Sequence, residues 1–503
     1  MTGENRLDRA VLLVASVVVL GAIMSILDTT VVNVAINTLA GDFDTDLATI
    51  QWVVTGYTLA LATVIPLTGW AADRFGTKRL YLVSIALFVA GSALSGLAWS
   101  AESLIGFRVL QGLGGGMIMP AGMTILTRAA GADRIGRVMA IIGVPMLLGP
   151  ILGPILGGWL VENASWRWIF FINLPIGAAA FLMSGRVLPA DEPQPQHRLD
   201  WLGLTFLSPG LAAVIFGLAK STTSGGFSSP KVAVPIVVGI ALLAGFVVHA
   251  LRTEHALIDL RLFRNRTFSI ASGTMVLMAI SVFGGMLLLP LYLQAVRGES
   301  AFDTGLLLAP QGLGAMLVMP VAGRLTDLTG VGRIVPFGLV LAAFSFFSLT
   351  SLEADTPYSV LAGILFLQGM GMGAAMMPLF SGAMQTLRKA AVARASTTLN
   401  IIQQVGASIG TAVMTVLLTK AIQTRLPEGA SGGSFGGQVP NSARERVAPQ
   451  LADAFGATFW WALLLVLVAL GASLFLPKRR PAPVVEDDED GTPAADQPVL
   501  VAH

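Results

Sequence analysis

Fourteen runs of about twenty mostly apolar residues follow one another along this chain, and they leave it little choice of architecture. They lie near 9–38, 48–72, 79–99, 102–127, 136–160, 167–188, 200–220, 231–251, 268–296, 303–325, 333–352, 357–385, 394–420 and 457–477, numbered here as spans 1 to 14. Lipid offers no partner to backbone N–H and C=O groups, so each run is expected to be a helix. The predicted fold class is an all-α polytopic membrane protein. Composition supports this: only 12% of residues are charged and mean hydropathy is +0.76, whereas soluble domains carry about 25% charged residues. The first run leads into Asp28-Thr-Thr-Val-Val-Asn33 rather than a small-residue cleavage site, so it is expected to be a retained span.

The chain repeats itself. Gly69, Asp73, Gly76 and Arg79, in the turn between spans 2 and 3, return as Gly323, Asp327, Gly330 and Arg333, each 254 residues on. Gln111, Gly112 and Gly114 match Gln368, Gly369 and Gly371 at an offset of 257, as do Arg137 with Arg394, and Gly149 and Gly153 with Gly406 and Gly410. Such duplication inside a membrane protein points to a transporter. The expected organisation is a six-helix bundle over 1–190, an inserted pair (spans 7 and 8) over 191–255, a second six-helix bundle over 256–480, and a disordered cytoplasmic tail over 481–503. That tail is Pro-rich and carries a run of acidic residues.

Lys and Arg set the expected orientation. With both termini in the cytoplasm, most of the 31 basic residues fall on the cytoplasmic side, and Arg108 alone lies deep inside a span. Several chemistries are excluded. There is no Cys for thiol or disulfide chemistry, and the four His are scattered and form no ligand set. No G-x-x-x-x-G-K-[ST] loop is present to cradle ATP phosphates. A net charge of +2 gives no reason to expect nucleic acid as a partner.

Four motifs in order resemble those of a known family. Gly69-Trp-Ala-Ala-Asp-Arg-Phe-Gly-Thr-Lys-Arg79 is similar to the cytoplasmic signature of the major facilitator superfamily between spans 2 and 3. Leu27-Asp-Thr-Thr-Val-Val-Asn-Val-Ala35 resembles the span-1 signature of its fourteen-span drug:proton antiporters. Arg108-Val-Leu-Gln-Gly-Leu-Gly resembles its span-4 motif. Gly149-Pro150-x-x-Gly153-Pro154-x-x-Gly157-Gly158 resembles the span-5 motif of exporters, and Trp166-Arg-Trp-x-Phe-x-x-Asn-Leu-Pro175 is typical of the same group. The resemblance covers roughly 8–480. It implies the major facilitator fold and a proton-coupled antiporter in the cell membrane that exports amphipathic, cationic drugs. It needs no cofactor beyond the proton gradient and is expected to be a monomer. A lipid or cell-envelope precursor transporter on the same fold is the alternative.

Asp28 is the sharpest candidate. It lies 19 residues after Arg9, about 28 Å along a helix, in the outer half of span 1. Gly21, Ser25, Asp28, Val32 and Ala35 share one helical face, so a small and polar stripe is expected to point into the bundle. Burial favours the neutral acid and an adjacent cation favours the carboxylate, so one such group can exchange a proton for a cationic guest. The other reading of Asp28 is a helix-end residue among outer headgroups. Arg108 has Leu365 at its repeat position, so the fold does not require Arg there. Its guanidinium keeps its proton and is expected to act on a nearby carboxylate or on backbone carbonyls.

The resemblance makes Gly69, Asp73, Arg74, Gly76 and Arg79 a gate whose partner is the start of span 13 near Arg394. It also makes Gly149, Pro150, Gly153, Pro154, Gly157 and Gly158 a kinked segment that seals against proton leak, with plain packing as the other reading. Asn33, Gln51, Trp52, Tyr57, Gln294, Gln311, Asn400, Gln403 and Gln404 are candidates for the substrate cavity wall. Met117, Met119, Met370, Met372, Met376 and Met377 could add adaptable apolar surface.

Overall fold

The computed structural model describes residues 8–45, 47–130, 138, 149, 152–153, 155–189, 199–221, 227, 229–253, 256–385, 387, 391–425 and 441–478. Among these, 12 helices are long and apolar enough to cross a membrane, and a bent pair makes a thirteenth crossing. The fourteenth expected crossing is span 5, which falls mostly outside the described residues, as do Pro150, Pro154 and the tail.

Span 1 is a 34-residue helix, Arg9–Asp42. Span 2, read as one straight run from the sequence, breaks into Trp52–Val64 and Leu67–Phe75, which meet at 55°. Pro66 caps the second piece; its ring removes a donor and clashes with the preceding turn, which explains the bend. Spans 3, 4 and 6 are Thr77–Gly96, Ala101–Ala130 and Asn173–Val187. The inserted pair is Trp201–Ser221 and Pro230–Arg252. Spans 9 to 14 are Arg266–Ala295, Ala301–Thr329, Val331–Leu349, Tyr358–Gln385, Val392–Arg425 and Asn441–Ser473. The last two helices run into 421–456, which the sequence reads as a loop; residues 426–440 between them lie outside the described residues.

Packing reproduces the duplication. In the first half span 4 packs on spans 1, 2 and 3, and span 6 packs on spans 1 and 3. In the second half span 12 packs on spans 9, 10 and 11, and span 14 packs on spans 9 and 11. The repeated turns match too: Gly76 and Gly330 have φ of 86° and 93°, a backbone region open to Gly at little cost. Each turn also docks the end of its bundle. Lys78 Nζ donates to Gly185 O and Leu188 O at 2.9 and 2.7 Å, and Gly332 N, 254 residues on, donates to Pro477 O at 3.0 Å.

The inserted pair straddles both halves, packing on span 2 and on span 13. Ser208 Oγ donates to Thr63 O at 2.7 Å, and Trp52 packs on Phe216 with ring centroids 5.8 Å apart. Among the described residues, the two halves also meet where span 13 packs on span 4 and on Leu67–Phe75.

Small residues let these helices approach closely. A Cβ on Gly114 would stand 2.5 Å from Phe88 N, whereas one on Gly106 of the same helix would meet nothing within 4 Å. Gly114→Ala is therefore expected to cost about 1–3 kcal/mol by overpacking spans 3 and 4, while Gly106→Ala is neutral. Thermal unfolding of the purified variants checks this, with Gly114→Ala melting lower.

Candidate functional site

The stripe on span 1 faces inward: Gly21, Ser25, Asp28, Val32 and Ala35 are all buried. At its centre Asp28 is 1% exposed and meets Arg108, which is 0% exposed. Arg108 Nη1 donates to Asp28 Oδ2 at 2.6 Å. Gln111, one turn along span 4, bridges the pair: its Nε2 donates to Asp28 Oδ1 at 2.8 Å and its Oε1 accepts from Arg108 Nη1 at 2.8 Å. Asn173, the first residue of the span-6 helix, donates to Asp28 Oδ1 at 3.1 Å. Arg108 Nε donates to Val53 O at 3.3 Å. The guanidinium lies 4.0 Å from the Tyr57 ring centroid and 5.7 Å from that of Phe170, where cation–π attraction adds to its hold. Tyr57 Oη, Arg108 Nη2 and Asn173 Oδ1 find no hydrogen-bond partner among the described residues.

The described part of span 5 packs on span 1 beside this site. A Cβ on Gly149 would come within 2.0 Å of Ile26, one on Gly153 within 2.0 Å of Thr30, and one on Gly157 within 3.0 Å of Val31. These three glycines, four residues apart, therefore bear on the stretch of span 1 that carries Asp28. Gly158 would meet nothing within 4 Å and takes no part in that face.

The repeat position of this site in the second half is neutral. Val282 stands 254 residues after Asp28, Leu365 stands for Arg108, and Gln311 and Gln368 stand for Tyr57 and Gln111. Gln311 Nε2 donates to Gln368 Oε1 at 3.1 Å and contacts Met372 Sδ at 3.4 Å. Val282 lines a small cavity with Met275, Met278, Phe283, Met376 and Gln403.

The other candidates are dispersed. Asn33, Gln51, Trp52 and Gln294 are exposed, and Asn400 and Gln404 are half-buried. Asn400 spends its Nδ2 on Ser396 O at 2.8 Å. The structure thus brings only Tyr57, among the proposed cavity residues, to the charged pair. Gln111 and Asn173 were missed as site residues. The signals that could have found them are the recurrence of Gln111 as Gln368 and the place of Asn173 in the Trp166–Pro175 motif.

A second cluster lies at the end marked by the repeated turn. Asp73, 9% exposed, has its carboxylate 3.8 Å from Arg128 Nη2 and 3.8 Å from Arg394 Nε of the other half. A Cβ on Gly69 would stand 3.2 Å from Thr397 Oγ1, and Ser396 Oγ donates to Pro120 O at 3.2 Å. This end of the interface between the halves is closed. Gly76 makes the turn, Arg74 is half-buried and Arg79 is exposed. At the repeat position Asp327 is buried with Gln385 Nε2 at 3.5 Å in place of Arg128.

Two helical bundles that each carry the same glycine turn, with a buried ion pair in the first, define a membrane transporter of two related halves. The chain belongs to the Major Facilitator Superfamily, whose family profile matches residues 18–411. It is 45% identical over 497 residues to the "Multidrug resistance protein B homolog" of Mycobacterium tuberculosis, covering 95% of this chain and 92% of that protein. It is 32% identical over 422 residues to the "Multidrug export protein EmrB" of Escherichia coli, covering 83% and 82%. In fold it is similar to the human organic anion transporter MFSD10, with a TM-score of 0.59 at 15% identity over 91% of this chain and 100% of that one. It is also similar to the proton:xylose symporter XylE, with a TM-score of 0.60 at 13% identity over 93% and 96%.

Removing one partner of a buried pair strands the other charge, at about 3–5 kcal/mol. Arg108→Leu, which installs the residue of the repeat position, is expected to destabilise the protein by that order. Adding Asp28→Asn to Arg108→Leu is expected to recover most of the loss. Chemical unfolding of the two single variants and the double variant in mixed micelles measures the coupling.

Proposed function

We propose that the protein exports amphipathic, cationic drugs across the cell membrane in exchange for protons, by alternating access between its two halves. The observation that carries this reading is the carboxylate of Asp28, buried among spans 1, 2, 4 and 6 and neutralised by a cation on another helix. A carboxylate in such a place needs a positive partner or a proton. Three occupants compete for it: Arg108, a proton and a cationic substrate. Arg108 fills the interval in which neither of the others is bound, so the site does not have to keep a bare charge while the halves move. The relatives named for multidrug resistance and multidrug export favour drugs as cargo over the lipid-precursor alternative.

In this reading both termini are cytoplasmic, and the closed end at Asp73 is the cytoplasmic gate. Asp73, with Arg128 beside it and Arg394 across the interface, stabilises the outward-facing state. Gly149, Gly153 and Gly157 hold span 5 against span 1 and keep protons from bypassing Asp28. The halves are 1–190 and 256–480, with 191–255 inserted between them. The working unit is a monomer in the bilayer, coupled to the proton gradient without a cofactor.

Reconstituted protein is expected to drive ethidium efflux from proteoliposomes when a proton gradient is imposed, and to stop when the gradient is collapsed. Asp28→Asn lowers stability by leaving Arg108 without its carboxylate, but should still insert in the membrane and lose this coupled efflux. Efflux by Asp28→Asn at the wild-type rate would refute the assignment. Asp73→Ala loses the anion that faces Arg394 and is expected to slow efflux by tenfold or more, on the order of 1.4 kcal/mol. Cysteine pairs between positions 69 and 397 in this Cys-free chain report whether its closed state is depleted.

A further inference from the structure

Asn173 sits against Asp28 with half of its amide idle. Its Nδ2 donates to Asp28 Oδ1 at 3.1 Å and to Ser92 Oγ at 3.1 Å, and Ser92 Oγ donates onward to Phe170 O at 2.9 Å. The side chain is 0% exposed, yet its Oδ1 accepts from nothing among the described residues. A buried acceptor without a donor is costly, and native structures seldom keep one that has no use.

We propose that Asn173 is a positioning residue that follows the protonation state of Asp28, donating to the carboxylate and, after its amide turns, accepting the hydrogen bond of the protonated acid. This rests on the proton exchange at Asp28 proposed above. One proton from the aqueous phase forms an O–H bond at Asp28 Oδ1, leaving water behind; Arg108 keeps all its protons. Oδ1 faces two amide nitrogens, Gln111 Nε2 at 2.8 Å and Asn173 Nδ2 at 3.1 Å. An O–H there would meet N–H groups head-on, so one amide has to turn.

Gln111 is held at its other end, where Oε1 accepts from Arg108 Nη1. Asn173 is not, because its oxygen is unbound. Turning it exchanges Oδ1 for Nδ2. The oxygen then accepts from Asp28, and the Ser92 hydroxyl can leave Phe170 O and donate to the same oxygen. The second carboxylate oxygen, Oδ2, is covered by Arg108 Nη1 at 2.6 Å, so the proton arrives at Oδ1 and Arg108 is released only afterwards. Among the described residues, the charged and titratable groups facing Asp28 are Arg108 from span 4 and Tyr57 from span 2. Gln111 and Asn173 are neutral, and Gly149 and Gly153, the described span-5 residues nearest span 1's Ile26 and Thr30, carry no ionisable group.

Infrared difference spectra, acid minus neutral, test this on the full-length protein in lipid nanodiscs. Asparagine labelled with carbon-13 at the side-chain carbonyl is the probe. Two changes are expected together: a protonated carboxyl band that is lost in Asp28→Asn, and a shift of one labelled amide band to lower wavenumber that is lost in Asn173→Val. The wild-type spectrum alone carries the test if Asn173→Val does not fold. A carboxyl band without the amide shift overturns the role of Asn173 and leaves proton exchange at Asp28 standing. No carboxyl band down to the lowest pH at which the fold survives overturns both.

Discussion

A carboxylate and a guanidinium held together away from both water and lipid are what the rest of this structure has to accommodate. Asp28 and Arg108 are drawn from helices that do not adjoin in sequence, and each would be ruinous alone. Their burial becomes tolerable because the remaining hydrogen-bonding capacity is largely spent: Gln111 spans both members, Asn173 takes a second bond to Asp28, and Val53 O takes Arg108 Nε. The aromatic faces of Tyr57 and Phe170 cover the guanidinium. A buried pair of this kind adds little net stability. In the proposed mechanism its value lies in being exchangeable, since a cationic guest at Asp28 displaces Arg108 and a proton there weakens its hold.

The duplication sharpens this point. Both halves pack the same helices against one another and share the same glycine-made turn. Yet the ion pair exists in one half only, with Val282, Leu365, Gln311 and Gln368 forming its neutral counterpart. Packing therefore does not require the charges. One half holds the buried pair, and the other a small Met-lined cavity and the cation, Arg394, that meets Asp73 across the interface. Gly69 and Asp73, which meet Thr397 and Arg394 of the other half, belong to the same half as Asp28, and spans 2 and 4 run past both places.

Much of the fold was legible in the sequence because the membrane allows so few solutions. Apolar runs of one length, a repeated turn and basic residues on one side are enough to expect two helical halves and an inserted pair. The bend in span 2 was not legible: Pro66 sits inside an apolar run, and several other spans tolerate Pro without breaking, such as Pro120 in span 4 and Pro209 in span 7. Asp28 and Arg108 could each be singled out as isolated charges in apolar helices. That they meet could not be, since sequence separation of 80 residues says nothing of which faces oppose. Gln111 and Asn173 carry no charge, so nothing in composition marks them until the pair they serve is seen. The other polar candidates do not gather at the pair: Trp52 and Asn33 are conspicuous in an apolar stretch, and the structure leaves both exposed.

The central claim is that Asp28 exchanges a bound proton for a cationic guest, with Arg108 holding the carboxylate between the two. Proton release on drug binding measures this without transport. Purified protein in weakly buffered detergent is titrated with ethidium over a pH series, with bound dye and free protons followed together. The account predicts that wild type releases protons in step with dye uptake at the acidic end of the series, and that Asp28→Asn takes up dye weakly and releases none. Dye uptake by wild type with no proton release at any pH, or equal release from Asp28→Asn, would contradict it.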